Sequence, residues 1–427
     1  MRSEGIYGEF GIDERILRLS EKAEESLKDI YSHIDEVCEY NQLKVLKAMQ
    51  DEEVSEACLL ETTGYGYNDL GRDALERVYA RIFHTEAALV RTQIISGTHA
   101  LYLAIAGNTK PGDIVYSPCG LPYDTLQTVL GLNGTKNSLK DYGVGFSYTP
   151  LNENGKPDYE RIEKEIPENV RLCEIQRSRG YDGRESFTMG ELKELIAFIK
   201  KLRPETVIMV DNCYGEFIDY EEPTDIGADM AVGSLIKNPG GGLAPCGGYI
   251  AGTQELVDGA CARLTAPGLL GEIGPSLGNN RAFFQGLFMA PHVSAQALKG
   301  AVLLSKMCEL CGFSASPSSV SERTDIIQCV DLCDRERLVA FCEGIQMASP
   351  VDSMYMPEPG DMPGYDCDII MAAGCFTQGS SIELSADAPL REPYRVFFQG
   401  GLTYSHAKLG VMKALSELIE RGLVQIK

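Results

Sequence analysis

A lysine, Lys237, stands directly after the apolar part of ADMAVGSLIKNPGGG, and a run of glycines follows it. An amine at the end of an apolar strand and before pliable backbone is expected to be desolvated. Desolvation lowers a lysine's pKa and makes it nucleophilic toward carbonyl groups. Ser234 lies three residues earlier in the same segment. The run TVIMVD delivers Asp211 at the end of another apolar stretch. A carboxylate there is costly if buried alone, so it requires a cation or a capping role. A third stretch, AALVRTQIISGTHALYLAI, leads through Ser96, Gly97, Thr98 and His99 into an apolar helix. Glycine at a helix start lets backbone N–H groups close around an anion, and the helix N-terminus favours negative charge. Taken singly, each feature has a plainer reading: a solvated loop lysine, a helix-capping aspartate, a histidine that caps or packs.

One ligand uses all three. A phosphate would sit at Gly97 and Thr98 with the Ser234 hydroxyl beside it, an aldehyde would be captured by Lys237 as a Schiff base, and Asp211 would pair a protonated pyridine nitrogen. That ligand is pyridoxal 5'-phosphate (PLP), whose sites pair a Schiff-base lysine with an acidic partner for the ring nitrogen. PLP is therefore the expected cofactor. No GxxxxGK[ST] pattern occurs, and no GxGxxG follows the first strand, which argues against a nucleotide phosphate loop and a nicotinamide-binding enzyme.

These residues need a scaffold that brings strand ends together. From Leu70 onward, short apolar runs such as DIVYS, VRLCEIQ, TVIMVD and GGYIAG alternate with helical stretches such as GELKELIAFIKKL. That alternation predicts a mostly parallel sheet with helices on both faces, whose ligands bind beyond the carboxyl ends of the strands. Residues 1–60 read as a helical arm, with Ile16, Leu19, Leu27, Ile30, Ile34, Val37 and Leu43 at roughly helical spacing. Arms of this type dock on partner subunits. Residues 61–290 form the large α/β domain, and 291–427 a smaller α+β domain ending in the helix HAKLGVMKALSELIERG. The Met-rich stretch from Met347 to Met362 reads as a loop.

Composition narrows the function classes. Against 39 Lys and Arg stand 62 Asp and Glu, a net charge of −23 over 427 residues. Such a surface repels nucleic acid and anionic lipid, so neither is an expected partner. No continuous apolar run approaches the roughly 18 residues of a membrane span. The opening MRSEGIYGEFGIDERI has no apolar segment of signal-peptide type, and a cytoplasmic protein with reduced thiols is expected. Fourteen cysteines include one CxxC, Cys308 to Cys311, with no second pair to complete a zinc site, so no metal is expected.

The sequence resembles fold type I PLP enzymes of the Cys/Met metabolism group. It is most similar to the bacterial aluminum resistance protein or methionine gamma-lyase-like (cystathionine beta-lyase-like) family. The likeness runs from GYGYNDLGRDALE to QGGLTYSHAKLG and is densest in ISGTHAL, LPYDTL, IQRSRGY, VDNCYGEF and GSLIKNPGGGLAPCGGYIAG. It implies the fold type I PLP-dependent transferase fold: a large α/β domain with a mostly parallel seven-stranded sheet, and a smaller α+β C-terminal domain.

The resemblance also implies roles. Lys237 would be the cofactor lysine and Asp211 the pyridinium partner; Gly97, Thr98, His99 and Ser234 would surround the phosphate. Tyr123, in LPYDTL, would lie on the cofactor ring, while Gln176, Arg177 and Ser178 end a strand near the cofactor's 3′ oxygen. Arg391 or Arg395 would hold the substrate carboxylate, as a bidentate guanidinium does best, with Arg391 favoured. Tyr65 or Tyr67 would reach in from a neighbouring subunit of a homodimer or homotetramer with shared active sites. Two departures stand out. Ile236 replaces the threonine that the wider group carries before its lysine, and no arginine follows Tyr65 or Tyr67 at the group's spacing, which leaves Arg72 as a substitute.

The expected activity is a carbon–sulfur lyase acting on a sulfur-containing amino acid by β- or γ-elimination. Alternatives on the same scaffold are an aminotransferase, desulfurase or racemase, or a PLP-binding protein without turnover.

Overall fold

The computed structural model describes residues 2–362 and 367–425, with side chains from residue 5. Two compact units emerge: Met1–Glu39 with Ala290–Lys427, and Tyr40–Met289. The first 39 residues thus group with the C-terminal segment.

The unit formed by residues 40–289 is built on a seven-stranded sheet. Its strands are β1 (Ala87–Arg91), β2 (Ile114–Ser117), β3 (Gly145–Tyr148), β4 (Val170–Gln176), β5 (Val207–Asp211), β6 (Met230–Ser234) and β7 (Gly248–Gly252). The spatial order is β1-β7-β6-β5-β4-β2-β3. Pairings from β3 through β6 are parallel, and β7 runs antiparallel to both β6 and β1. The expected mostly parallel sheet is therefore present, with one reversed strand.

Every residue of β5, β6 and β7 is buried, as a sheet covered on both faces requires. One face packs Leu172, Met209 and Val232 against Leu101, Leu103 and Ile105 of the helix Gly97–Asn108. The other packs Ile175, Ile208 and Val210 against Leu192, Leu195 and Ile199 of the helix Met189–Leu202. A capping box starts that second helix: Thr188 Oγ1 accepts from Glu191 N, and the Glu191 carboxylate accepts from Thr188 N.

Register delivers the chemistry to one edge. Gln176 lies opposite Asp211, and the next residue, Asn212, donates its N–H to Val232 O at 2.9 Å. Because parallel strands all point their carboxyl ends the same way, Gln176, Asp211 and Ser234 finish on one side.

The other unit holds an antiparallel sheet of β8 (Ser314–Ser316), β9 (Gln328–Asp331), β10 (Ile369–Ala372), β11 (Ser385–Pro389) and β12 (Arg395–Gln399), in the order β10-β11-β12-β9-β8. The helices Arg335–Met347 and Tyr404–Glu420 pack closely; a Cβ on Gly344 would come within 2.5 Å of the Ala414 backbone. The N-terminal helix Glu14–Ser26 docks on the last helix of its own chain. Glu24 accepts hydrogen bonds from Tyr404 Oη (2.6 Å) and Lys408 Nζ (2.7 Å), and Ile16 and Leu19 are buried. Leu43, by contrast, stays exposed. The helix Asn280–Leu310 is long and apolar enough to cross a bilayer, yet most of it is buried in protein, as in a core helix.

The helix that begins at Gly97 is held by a close crossing. A Cβ on Gly107 would lie 2.3 Å from Gly259 O, on the helix Gln254–Leu264. Backbone cannot yield as a side-chain tip can, so Gly107→Ala should cost about 1–3 kcal/mol in urea unfolding. An unchanged midpoint would contradict this crossing.

Candidate active site

The helix Gly97–Asn108 starts with Ser96 as its cap, whose Oγ accepts from His99 N at 3.1 Å. The N–H groups of Gly97 and Thr98 precede any intrahelical acceptor, so they can serve an anion. A side chain built on Gly97 would place its Cβ 3.4 Å from Ser234 Cβ and 3.5 Å from Cys213 Sγ. The helix start, the end of β6 and the loop after β5 therefore converge. Ser234 is 1 % exposed, and its Oγ is buried without any hydrogen-bond partner. A buried hydroxyl is rarely left unpaired. An orphaned hydroxyl beside a helix N-terminus fits a phosphate.

Tyr123 precedes the short helix Asp124–Leu130. Its hydroxyl lies 2.9 Å from Thr98 Oγ1, which in turn lies 3.0 Å from Thr125 Oγ1. Its backbone N–H donates to Gln176 Oε1 at 2.9 Å, while Gln176 Nε2 donates to Ser178 O. Burial first, and then the charge of Asp211, push the Tyr123 phenol well above its ordinary range. Gln176 thus faces Tyr123, whereas Arg177 turns away and donates from Nη1 to Asn212 Oδ1 (2.7 Å) and Gly215 O (3.1 Å). Ser178 is buried, with its Oγ unpartnered.

Asp211 is 5 % exposed, and its Oδ1 accepts from Cys213 N at 3.1 Å. Lys237 is half-buried, with Nζ 4.2 Å from the centroid of the Tyr214 ring. Burial opposes charge on this amine, but Cys213, Tyr214, Asp211 and Tyr123 outweigh it, and the pKa lies above the ordinary lysine value. This corrects the lowered value expected from desolvation alone. The amine does not face an apolar wall: the Asp211 carboxylate, the Cys213 thiol and the phenols of Tyr214 and Tyr123 act on it.

His99 is placed by local structure. Its Nδ1 accepts from Ile95 N at 3.2 Å, and its ring stacks on Tyr102 with centroids 6.4 Å apart. Burial lowers its pKa, so the neutral ring, with its proton on Nε2, suits this contact. Arg72 does not offer a free charge: it is 4 % exposed, donating to Gly66 O, Gly274 O and Asp73. Tyr65 and Tyr67 are 73 % and 57 % exposed, with rings 5.7 Å apart.

The two candidate substrate arginines lie in the other unit. Arg395 forms a two-pronged pair with Asp331 at 2.6 and 3.0 Å. Arg391 is exposed on the turn between β11 and β12.

Two buried acids escaped sequence reasoning. Glu174 on β4 and Glu216 in the loop after β5 are 1 % and 0 % exposed, and both are pushed up to about 8, burial being the main cause. For Glu174 the signal was available: an acid interrupting the apolar run VRLCEIQ. Neither of its oxygens has a hydrogen-bond partner. The loop after β4 also buries Arg184, which donates to Gln176 O, Ser178 O and Glu185 O and packs 4.4 Å over Phe187.

Comparison with known proteins gives a consistent result. A family model described as "Methionine gamma-lyase" matches residues 16–419. The uncharacterized protein YnbB of Bacillus subtilis (strain 168) is 45 % identical over 413 residues, 96 % of this chain and 98 % of that one. A crystal structure of a carbon-sulfur lyase involved in aluminum resistance from Clostridium novyi NT is 48 % identical, with a TM-score of 0.93 over 97 % of this chain and 98 % of that one. The pyridoxal-5'-phosphate-dependent protein YhfS of Escherichia coli matches at 15 % identity and a TM-score of 0.60, over 91 % of this chain and 97 % of its own, a likeness of fold alone. The fold is accordingly that of the fold type I PLP-dependent enzymes.

Glu174 yields a pH test. Its folded pKa of about 8 exceeds the unfolded 4.5, so the folded state binds the extra proton between those values. Its share of stability is full below the lower value and is lost as pH rises through the upper one. Glu174→Gln removes that loss. The stability of the variant relative to wild type should therefore climb between pH 5 and 9 in denaturant titrations. A constant difference would contradict the assignment.

Proposed function

The chain belongs to the methionine gamma-lyase family, and from that premise we propose that it is a PLP-dependent carbon–sulfur lyase. Its substrate is a sulfur-containing amino acid, cleaved with water to a 2-oxo acid, ammonia and a thiol by β- or γ-elimination. The observation that carries this reading is the orphaned Ser234 hydroxyl at the N-terminus of the helix Gly97–Asn108, three residues before Lys237.

PLP, when bound, supplies an electron sink for the charge left at the substrate's α carbon. The protein does the rest. Gly97 and Thr98 N–H groups and the Ser234 hydroxyl would hold the phosphate, whose charge the helix end favours. Asp211 would hold a proton on the ring nitrogen, because a buried carboxylate is best answered by a cation. Tyr123, fixed through Thr98 and Gln176, would cover the cofactor ring and exclude water. Lys237 is the amine that would hold the cofactor's aldehyde carbon, and its Nζ is the group that would accept the substrate's α proton. That proton transfer requires the amine to be unprotonated, which the acidic groups around it oppose in the protein alone.

The substrate carboxylate is assigned to Arg391 or Arg395, with Arg391 preferred because its segment, APLREPY, is the one that resembles the family's pattern. The protein acts as a homodimer or homotetramer in which Tyr65 and Tyr67 reach the neighbouring subunit's site. Supporting this, both tyrosines are exposed, as are Leu60, Leu70, Ile95 and Leu277 on the same unit. So much uncovered apolar surface suits an interface. The small-molecule chemistry needs no nucleic-acid or membrane partner, and a cytoplasmic setting fits the free cysteines.

Incubation with cystathionine, methionine and cysteine conjugates should release thiol and 2-oxo acid in equal amounts. Pyruvate would mark β-elimination and 2-oxobutanoate γ-elimination. Arg391→Ala should raise KM about tenfold or more while leaving cofactor binding intact. Amino-group transfer without thiol release would contradict the lyase reading, and an unchanged KM would contradict the role of Arg391.

A further inference from the structure

The two exposed tyrosines sit on backbone that is far from loose. The loop that carries Tyr65 and Tyr67, residues 62–69, turns through three left-handed residues, Gly64 (φ 64°), Gly66 (φ 63°) and Asn68 (φ 55°). Such backbone persists only where its surroundings impose it. Aromatic side chains left in water on a constrained loop are suited to anchor a contact, because little freedom remains to be lost.

The constraint comes from the segment 274–277. Gly274 N donates to Tyr65 O at 2.8 Å, and Leu277 N donates to Thr62 O at 3.2 Å. A Cβ on Gly66 would come within 2.7 Å of the Pro275 backbone, so the loop lies directly on this segment. Asp69 closes the loop as the cap of the helix Leu70–Ile82. Its carboxylate accepts from Arg72 N (2.9 Å), Ser276 N (3.3 Å), Asn280 Nδ2 (3.2 Å) and Thr62 Oγ1.

One side chain ties the two layers together. Arg72 donates from Nη1 to Gly66 O at 2.7 Å and to Gly274 O at 3.0 Å, while Asp73 accepts from its Nε at 2.8 Å. Gly66 stands between the two tyrosines, and Gly274 is the residue bonded to Tyr65. Arg91 steadies the same segment, donating to Gly271 O and Ile273 O while paired with Glu76. A planar guanidinium can meet two carbonyls and a carboxylate at once, a geometry that an ammonium on a flexible stem does not reproduce.

We propose that Arg72 is a positioning residue for Tyr65 and Tyr67: by tying Gly66 to Gly274 it holds both phenols in the orientation in which they enter the neighbouring subunit's site. This rests on the reading of a lyase with shared active sites. It gives the buried arginine a part that works through backbone geometry instead of charge, and on the neighbour's site instead of its own.

Two variants separate geometry from charge. Arg72→Lys keeps the charge but not the two-carbonyl geometry. Gly66→Ala lifts the loop off Pro275 with Arg72 intact, and serves if the first variant does not fold. In PLP-loaded protein both should raise KM for cystathionine about tenfold while changing kcat less. Mixed oligomers of Arg72→Lys and Lys237→Ala subunits contain sites that combine an intact lysine with tyrosines from a chain whose Arg72 is intact. At those sites KM should return to the wild-type value. Nitration of Tyr65 and Tyr67 by tetranitromethane, read by mass spectrometry, needs no activity: the phenols should be shielded in wild type and about tenfold more reactive in both variants. Wild-type KM and nitration rates in Arg72→Lys would overturn the proposal, as would a KM that mixing leaves raised. Wild type that leaves cystathionine uncleaved would count against the lyase reading, while the nitration rates would still judge Arg72.

Discussion

A carboxylate at the end of a fully buried strand is an electrostatic debt that the chain alone leaves open. Asp211 closes β5, all of whose residues are buried, and its Oδ1 accepts a hydrogen bond from the Cys213 N–H. Burying an anion is tolerable when a cation answers it. Lys237 supplies part of that answer from the next strand's end, and Asp211 is among the groups that raise its pKa. A cationic ring nitrogen would complete the pairing. Much of the surrounding architecture serves to hold these two charges at one sheet edge.

The edge is assembled from separate layers. Parallel register sets Gln176 beside Asp211, and Gln176 in turn holds the backbone of Tyr123. The helix Gly97–Asn108 brings its N-terminus against Ser234 and Cys213 because its far end crosses another helix through facing glycines. Arginines keep the loops rigid: Arg177 ties the turn after β5, and Arg184 ties the turn after β4. Their guanidiniums point at backbone carbonyls and an amide, so they stiffen the site without adding free charge at the ring. The result is a preorganised cradle in which the unpaired atoms, above all Ser234 Oγ, are those a ligand would meet.

Much of this was legible in the chain. Apolar runs ending in Asp211, Ser234 and Gln176 marked the strand ends, since a parallel sheet places its polar residues there. Strand alternation gave the α/β class, but not the reversal of β7, because a short buried run has no signature of direction. Desolvation alone gives the wrong direction for Lys237, because it is a property of one residue, whereas the opposing groups come from two other segments of the chain. Glu216 was hidden for a similar reason: its burial depends on a left-handed loop and on a glycine in a different strand. Arg391 and Arg395 could not be separated by spacing, and the pairing of Arg395 with Asp331, 64 residues away, follows no local pattern.

The central claim is that Lys237 is the amine that carries PLP. Its most direct test is borohydride reduction of the protein in the presence of PLP, followed by peptide mapping, with Lys237→Ala as the control. The account predicts a yellow protein that borohydride bleaches, with the pyridoxyl group on Lys237 alone, and a variant with neither band nor adduct. Protein that stays colourless in excess PLP, or an adduct on another lysine, would contradict it.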